Sequence, residues 1–249
     1  MVLQKRKTWR TALWLFAGGL VLAALIAAVV VARTWGRTVL QIDIHQNREL
    51  IYLSTFAEPP QFAIWLEDPA TGELKTVFVT HRVAVGDWEG KANVPVALPQ
   101  WFRLFRGNDN PAAGYHKKGS DLVVTGATPK EDFFTVRVEV KPGSEWICHI
   151  EMNLAGDFND AFPEFDTETF YEDEFSCGQP ALIWSARLKA DEGSTFVPHL
   201  EAQAVWDNGE VTVGPVSAGV TTARQVFDDM KISVIRPKPK LIEKYKLEN

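Results

Sequence analysis

The sequence predicts a mainly β protein: an antiparallel, sandwich-like extracytoplasmic domain behind one N-terminal transmembrane helix. Three observations lead there. An uncharged apolar run opens the chain. Short segments rich in Val, Ile, Phe and Trp recur through the rest, punctuated by Pro, Gly and Asn/Asp turns. Only one segment of the body carries helical spacing, which disfavours alternating βαβ units.

Residues 1–10 form a basic tail with Lys5, Arg6, Lys7 and Arg10 and no acid. From Thr11 to Ala32 the chain runs 22 residues without a charge. A helix rising about 1.5 Å per residue crosses a hydrocarbon core of roughly 30 Å at that length, so 11–33 is assigned as a membrane anchor. Val30, Val31 and Ala32 also suit a signal-peptide cleavage site. Signal-peptide apolar cores, however, run only about 7–15 residues, which favours an uncleaved anchor. The basic cluster before the span should stay in the cytoplasm, which puts the body on the far side of the membrane. Setting aside the five basic residues of 1–33 leaves 21 basic against 32 acidic residues, a formal charge of -11 on the remainder. Such an acidic body is unsuited to a phosphate backbone, so no nucleic acid is expected as partner.

The β-rich domain is assigned to 34–236. Thr38–His45 and Glu49–Thr55 flank a short HQNR connection and predict a hairpin. Gln61–Leu66 and Leu74–Thr80 flank EDPATGE, whose Pro and Gly suit a turn. Phe133–Val140 and Glu145–Asn153 flank KPGS and predict a third hairpin. In the second of these strands Trp146, Cys148, Ile150 and Met152 share one face, with His149 and Glu151 on the other. Leu182–Lys189, Phe196–Trp206 and Val211–Val213 follow, the last two joined by DNGE. Thr221–Met230 is the best helix candidate in the body, capped by Thr221 or Thr222 with Ala223, Val226 and Phe227 toward the core, and Ile232–Ile235 is a closing strand. Arg82 to Gly119 is irregular, and Trp88, Trp101, Phe102 and Phe105 are expected to pin it to the core. The Lys-rich tail, 237–249, is expected to be loose.

Catalytic motifs of the common kinds are missing: no G-x-S-x-G, H-E-x-x-H, Walker loop or G-x-G-x-x-G occurs. Cys148 and His149 are adjacent, and neighbours on a strand point to opposite faces, so they cannot work on one substrate. In an oxidising compartment Cys148 and Cys177 are disulfide candidates, worth about 3–4 kcal/mol in the chain-entropy model. A buried free Cys148 is the alternative. Between them, Glu151 to Glu174 holds nine acids and no Lys or Arg. Asp157, Asn159 and Asp160 are its best calcium-ligand candidates, but Ala161 breaks the EF-hand spacing. The interleaved Phe158, Phe162, Phe165, Phe170, Tyr171 and Phe175 favour a loop packed on the sandwich with its acids in water.

The most specific short motif runs from Asp121 through Thr125, Gly126 and Ala127 to Thr128. It resembles the site at which bacterial flavin transferases join FMN to a threonine through a phosphoester. That resemblance makes Thr128 the attachment residue and Thr125, Gly126 and Ala127 the small-residue approach. Asp121 would help place the metal-bound phosphate donor. Asp121 stands one residue farther upstream than in the usual pattern, where this chain has Leu122, and Pro129 follows directly. A plain turn after a strand is the competing reading.

Longer blocks carry a second resemblance. Pro60–Asp68, Lys75–Thr80, Leu98-Pro99-x-Trp101, the Thr-Gly-Ala-Thr-Pro stretch, Asp157-Phe158-Asn159, Gly178-Gln179-Pro180 and Thr221-Thr222-Ala223 occur in order. Together they resemble a family of predicted periplasmic bacterial proteins of unknown function, over roughly residues 58–235. The resemblance implies an extracytoplasmic redox setting, with a flavin transferase and a PepSY-type membrane reductase as partners. The expectation is a membrane-anchored accessory protein, more carrier than enzyme, with covalent FMN as its cofactor. A non-redox module binding a ligand or partner is the alternative. A hydrolase built from scattered carboxylates ranks last, because no spacing predicts a converging pair.

Overall fold

The computed structural model describes residues 2–34, 37–85, 97–105, 125–126, 128–207 and 210–236. Helix α1 (Val2–Thr34) leads to β1 (Thr38–Gln46) and α2 (Arg48–Leu53). Next come β2 (Gln61–Glu67), β3 (Leu74–Thr80), α3 (His81–Val85) and α4 (Pro99–Phe105). They are followed by β4 (Thr125–Gly126), β5 (Phe133–Val140), β6 (Glu145–Asn153), β7 (Phe165–Asp166) and β8 (Tyr171–Glu172). Then β9 (Ala181–Lys189), β10 (Thr195–Phe196), β11 (His199–Asp207), β12 (Glu210–Gly214), α5 (Ala223–Val226) and β13 (Phe227–Ile235) complete the order.

The strands form a four-stranded sheet, β10-β13-β1-β5, a seven-stranded sheet, β12-β11-β9-β6-β2-β3-β4, and a small two-stranded ribbon, β7-β8. Pairing is antiparallel apart from β3 with β4. Alternation along each strand decides which side chains meet. Leu40, Ile42 and Ile44 of β1, with Ile232 and Val234 of β13, share one core with Phe62, Ile64 and Leu66 of β2 and Cys148, Ile150 and Met152 of β6. The two sheets therefore pack face to face, as the mainly β reading requires. The inward face predicted for Trp146, Cys148, Ile150 and Met152 is the observed one.

The outer face of the larger sheet carries a second layer. Ala63, Trp65 and Val79 are buried there beneath Val83, Ala84, Ala97, Leu98 and Trp101. Trp101 is 2% exposed and its indole N–H donates to Thr76 Oγ1 at 3.1 Å. The irregular middle is thus held by its aromatics, though part of it is helical. Trp88 lies outside the described residues.

Several local expectations are corrected. Glu49–Thr55 is not the return strand of a hairpin. Asn47 Oδ1 accepts the N–H of Leu50 at 3.3 Å, so the polar HQNR stretch starts a helix of which Ile51 is the buried residue. Strand β1 pairs instead with β5 and β13, far away in sequence. β5 and β6 exist as predicted but do not pair: β5 joins β1, while β6 lies between β2 and β9. The KPGS connection therefore passes from one sheet to the other. Phe196–Trp206 is two strands, β10 and β11, separated at Val197 and Pro198, because proline cannot donate to a ladder.

The predicted helix over Thr221–Met230 is one turn, α5, and Phe227–Met230 belong to β13. Pairing with Gln46, His45 and Ile44 overrides the local helical spacing. The hairpins at EDPATGE and at DNGE match observed antiparallel pairs, with Asn208 and Gly209 outside the described residues.

Helix α1 contains a 19-residue stretch, Trp14–Ala32, long and apolar enough to cross a membrane. Its large side chains from Trp14 to Val29 are exposed rather than packed on the sandwich. The tail 237–249 lies outside the described residues.

Candidate functional site

Two places on the sandwich gather chemistry. The first is the threonine motif. Asp121 and Ala127 lie outside the described residues, and of Thr125 only the backbone is described. Thr125 and Gly126 form β4, paired in parallel with Val79 and Thr80 at the edge of the larger sheet. A Cβ on Gly126 would stand 2.9 Å from Cε2 of Phe78, so glycine lets this edge segment lie against the ring. Thr128 follows, half-buried, and its Oγ1 accepts a hydrogen bond from Nε2 of Gln61 at 3.2 Å.

Gln46 holds the next turn. Its Nε2 donates to the carbonyl of Glu131 at 3.0 Å, and its backbone N–H to that of Asp132 at 2.7 Å. Arg48 donates to the carbonyl of Lys130 and lies over the Tyr52 ring. Near this end of the sandwich, Gln46 Oε1, Gln61 Oε1, Thr80 Oγ1 and Asn153 Oδ1 are buried without a hydrogen-bond partner among the described residues. Buried acceptors are ordinarily satisfied, so four in one region mark it as unusual.

The disulfide expectation is corrected: Cys148 and Cys177 are both free thiols. Cys148 points into the core between the sheets, where burial pushes its pKa up to about 12. Cys177 sits on the connection into β9; its carbonyl accepts from Nδ2 of Asn153, a neighbour on the opposite side of β6 from Cys148. Burial, then the Asp173 charge, raise the Cys177 pKa as well. Alternation along β6 thus aims the one sulfur away from the other's segment.

The acidic segment contains a compact polar relay. Gln179 Nε2 donates to Thr222 Oγ1, whose hydroxyl donates to Asp157 Oδ1. Burial raises the Asp157 pKa against those hydrogen bonds. Asn159 is committed to the loop, donating to the Gly219 carbonyl at 2.9 Å and accepting from the N–H of Phe162. No group of three His, Cys, Asp or Glu among the described residues is placed to hold a metal. Of the aromatics expected to pack, Phe162 and Phe175 do, whereas Phe165, Phe170 and Tyr171 are exposed.

The second place is one the sequence reading missed. Trp65, His149, Ser185 and His199 lie opposite one another on four adjacent strands, in one row across the outer face. His149 Nδ1 is 2.8 Å from Ser185 Oγ, and Nε2 is 3.1 Å from Glu67 Oε2. The imidazole stacks on the Trp65 indole at 5.1 Å with 17° between planes. Desolvation lowers the His149 pKa, opposed by the Glu67 hydrogen bond and by the Glu67 and Glu201 charges. The Glu67 carboxylate can only accept, so Nε2 carries the ring proton and Nδ1 accepts from the Ser185 hydroxyl. The sequence signal was period-2 alternation, which turns His149 outward. It holds no information about which strands flank β6.

One more ionisable group lies in the interior. Glu151, on the outer face of β6, is fully buried and accepts the N–H groups of Gln100 at 2.9 Å and Trp101 at 2.7 Å. Its carboxyl closes the first turn of α4. Burial pushes its pKa up to about 8, against those two donors and Arg103.

The fold and sites define a mainly β, two-sheet protein with one apolar N-terminal helix. Compared with known proteins, the chain matches no family model, no curated protein and no solved structure.

Proposed function

We propose that the chain is a membrane-anchored, extracytoplasmic accessory protein that carries FMN on Thr128 and serves electron transfer in a cell-envelope redox system. The observation that carries this reading is the presentation of Thr128. The segment before it is fixed as an edge strand, Gly126 lies where a side chain would meet Phe78, and the Thr128 hydroxyl is only half-buried. A partly exposed hydroxyl that accepts a hydrogen bond from Gln61 is a better acceptor for a transferred phosphoryl group than one sealed in the core.

The surroundings fit the group. Arg48 reaches the Lys130 carbonyl, two residues past Thr128, beside the Tyr52 ring, and pairs with Asp132 at 3.6 Å, so a phosphodiester on Thr128 would share that cation with a carboxylate. Bound FMN would supply the one- and two-electron chemistry; the chain's residues would orient it and set its electrostatics. An unpacked helix as apolar as α1 is best satisfied by lipid, which supports the anchor. The tether enters at Thr38 and Thr128 lies beyond the far end of β1, about 27 Å along the strand, so the cofactor would face away from the tether. A flavin transferase would load the site, and a PepSY-type reductase is the partner the sequence resemblance implies.

The alternative of a non-redox binding module finds no exposed aromatic surface at Trp101, which belongs to the core. The test is intact mass of the full chain after co-expression with a flavin transferase. One FMN should be added to the wild type and none to Thr128→Ala. Absence of the adduct, or its persistence in that variant, refutes the reading.

A further inference from the structure

We propose that Ser185, His149 and Glu67 form a separate hydrolytic site that cleaves small carboxylic esters through an acyl-serine. The proposal is independent of Thr128, which lies near the opposite end of β2. A nucleophile, its base and the group that orients the base stand in sequence, at 2.8 Å and 3.1 Å. Those are the two distances an activated serine requires.

Three features go beyond a chance hydrogen-bonded trio. Trp65 stacking and the Glu67 contact fix the ring from its face and its far edge, so Nδ1 is held toward Ser185. All three residues sit on regular strands, which position side chains more tightly than loops do. The helical cover of the outer face reaches Trp65 through Phe105, yet Ser185 remains partly exposed and the Glu67 side chain is 36% exposed. A small substrate can therefore reach the hydroxyl from solvent while the base stays largely dry, its side chain 15% exposed.

The charged neighbours favour the same chemistry. Arg187 lies two residues along β9 on the Ser185 face, about 7 Å away between Cα atoms, within reach of an oxyanion at that serine. His199 faces Ser185 from β11, and Glu201 adds negative charge that, with Glu67, stabilises a transient imidazolium.

The reaction balances without an outside oxidant or metal. Ser185 Oγ attacks the ester carbonyl carbon as its proton passes to His149 Nδ1. The acyl C–O bond breaks and the leaving alkoxide takes that proton to become the alcohol. Water then attacks the acyl-serine, giving its proton to the same nitrogen. The acyl–Oγ bond breaks, Ser185 recovers a proton, and a carboxylic acid departs. With a fluorophosphonate, Oγ displaces fluoride and the phosphonyl group remains on the serine.

The full chain in detergent, treated with a fluorophosphonate probe, should gain one adduct that peptide mass spectrometry places on Ser185. Ser185→Ala should abolish it, and His149→Asn should slow it by roughly 10²-fold or more. Glu67→Gln should lower kcat for p-nitrophenyl acetate with little change in KM. Heat-unfolded wild type should not react, which separates an activated serine from an exposed one without relying on any variant. Failure of the folded wild type to label, labelling that survives Ser185→Ala, or equal labelling of folded and unfolded chains overturns the proposal.

Discussion

Glu151 offers the sharpest link between a buried group and a measurable curve. Its folded pKa is raised from 4.5 to about 8, chiefly by burial. Between those values the folded chain holds a proton that the unfolded chain has released. Stability must then fall as pH rises through the window, by about 1.4 kcal/mol per pH unit where the slope is steepest. Taken alone, the group contributes about 5 kcal/mol that is present below pH 4.5 and lost by pH 8.

His149 acts with the opposite sign, since its lowered pKa adds stability as pH rises toward its unfolded value of 6.5. The cleanest interval for Glu151 is thus from 6.5 upward. Glu151→Gln keeps the shape but replaces one acceptor by an NH2 group facing a backbone donor of α4. At pH 5 that should cost about 1–3 kcal/mol. The glutamine cannot ionise, so from pH 6.5 to 8 its stability should stay nearly level while the wild type declines, and the two curves should cross. Urea unfolding of the full chain in detergent, repeated from pH 5 to 9, measures this. Parallel curves for wild type and variant would refute the argument, because they would mean that Glu151 binds protons alike in both states.

Two further outcomes follow from local geometry. Gly178 has φ +66 and a Cβ there would lie 2.6 Å from the Asp157 carbonyl oxygen; Gly178→Ala should lower Tm by roughly 5–10 °C in a thermal melt, and an unchanged Tm would contradict that close approach. Cys148 should resist iodoacetamide in the folded chain, and both cysteines should alkylate once it is unfolded without reductant, as counted by intact mass; a pair that reacts only after reduction would show a disulfide instead.

Much of the architecture was legible locally. The apolar run of α1, the inward set Trp146, Cys148, Ile150 and Met152, and the β2–β3 and β11–β12 hairpins all follow from periodicity and turn residues over a few positions. Errors came where partners lie far apart in sequence or where a local cap outweighs composition. Phe227–Met230 has helical spacing, yet it pairs with β1 about 180 residues earlier. Glu49–Thr55 has strand-like composition, yet the Asn47 cap and burial of Ile51 make it a helix.

The candidate sites divide in the same way. The threonine motif is a contiguous string and could be read directly, but its half-buried hydroxyl and its neighbours Gln46, Gln61 and Arg48 could not. Ser185, His149 and Glu67 leave no mark in any short window, because 36 and 82 residues separate the members. By itself the sequence determined composition, the apolar leading segment, the faces of individual strands and the presence of two thiols. Strand order and register, decided only when two sheets bury their apolar faces against each other, determined which of those side chains meet. The same choice kept the thiols apart and brought a serine, a histidine and a glutamate together on the outer face.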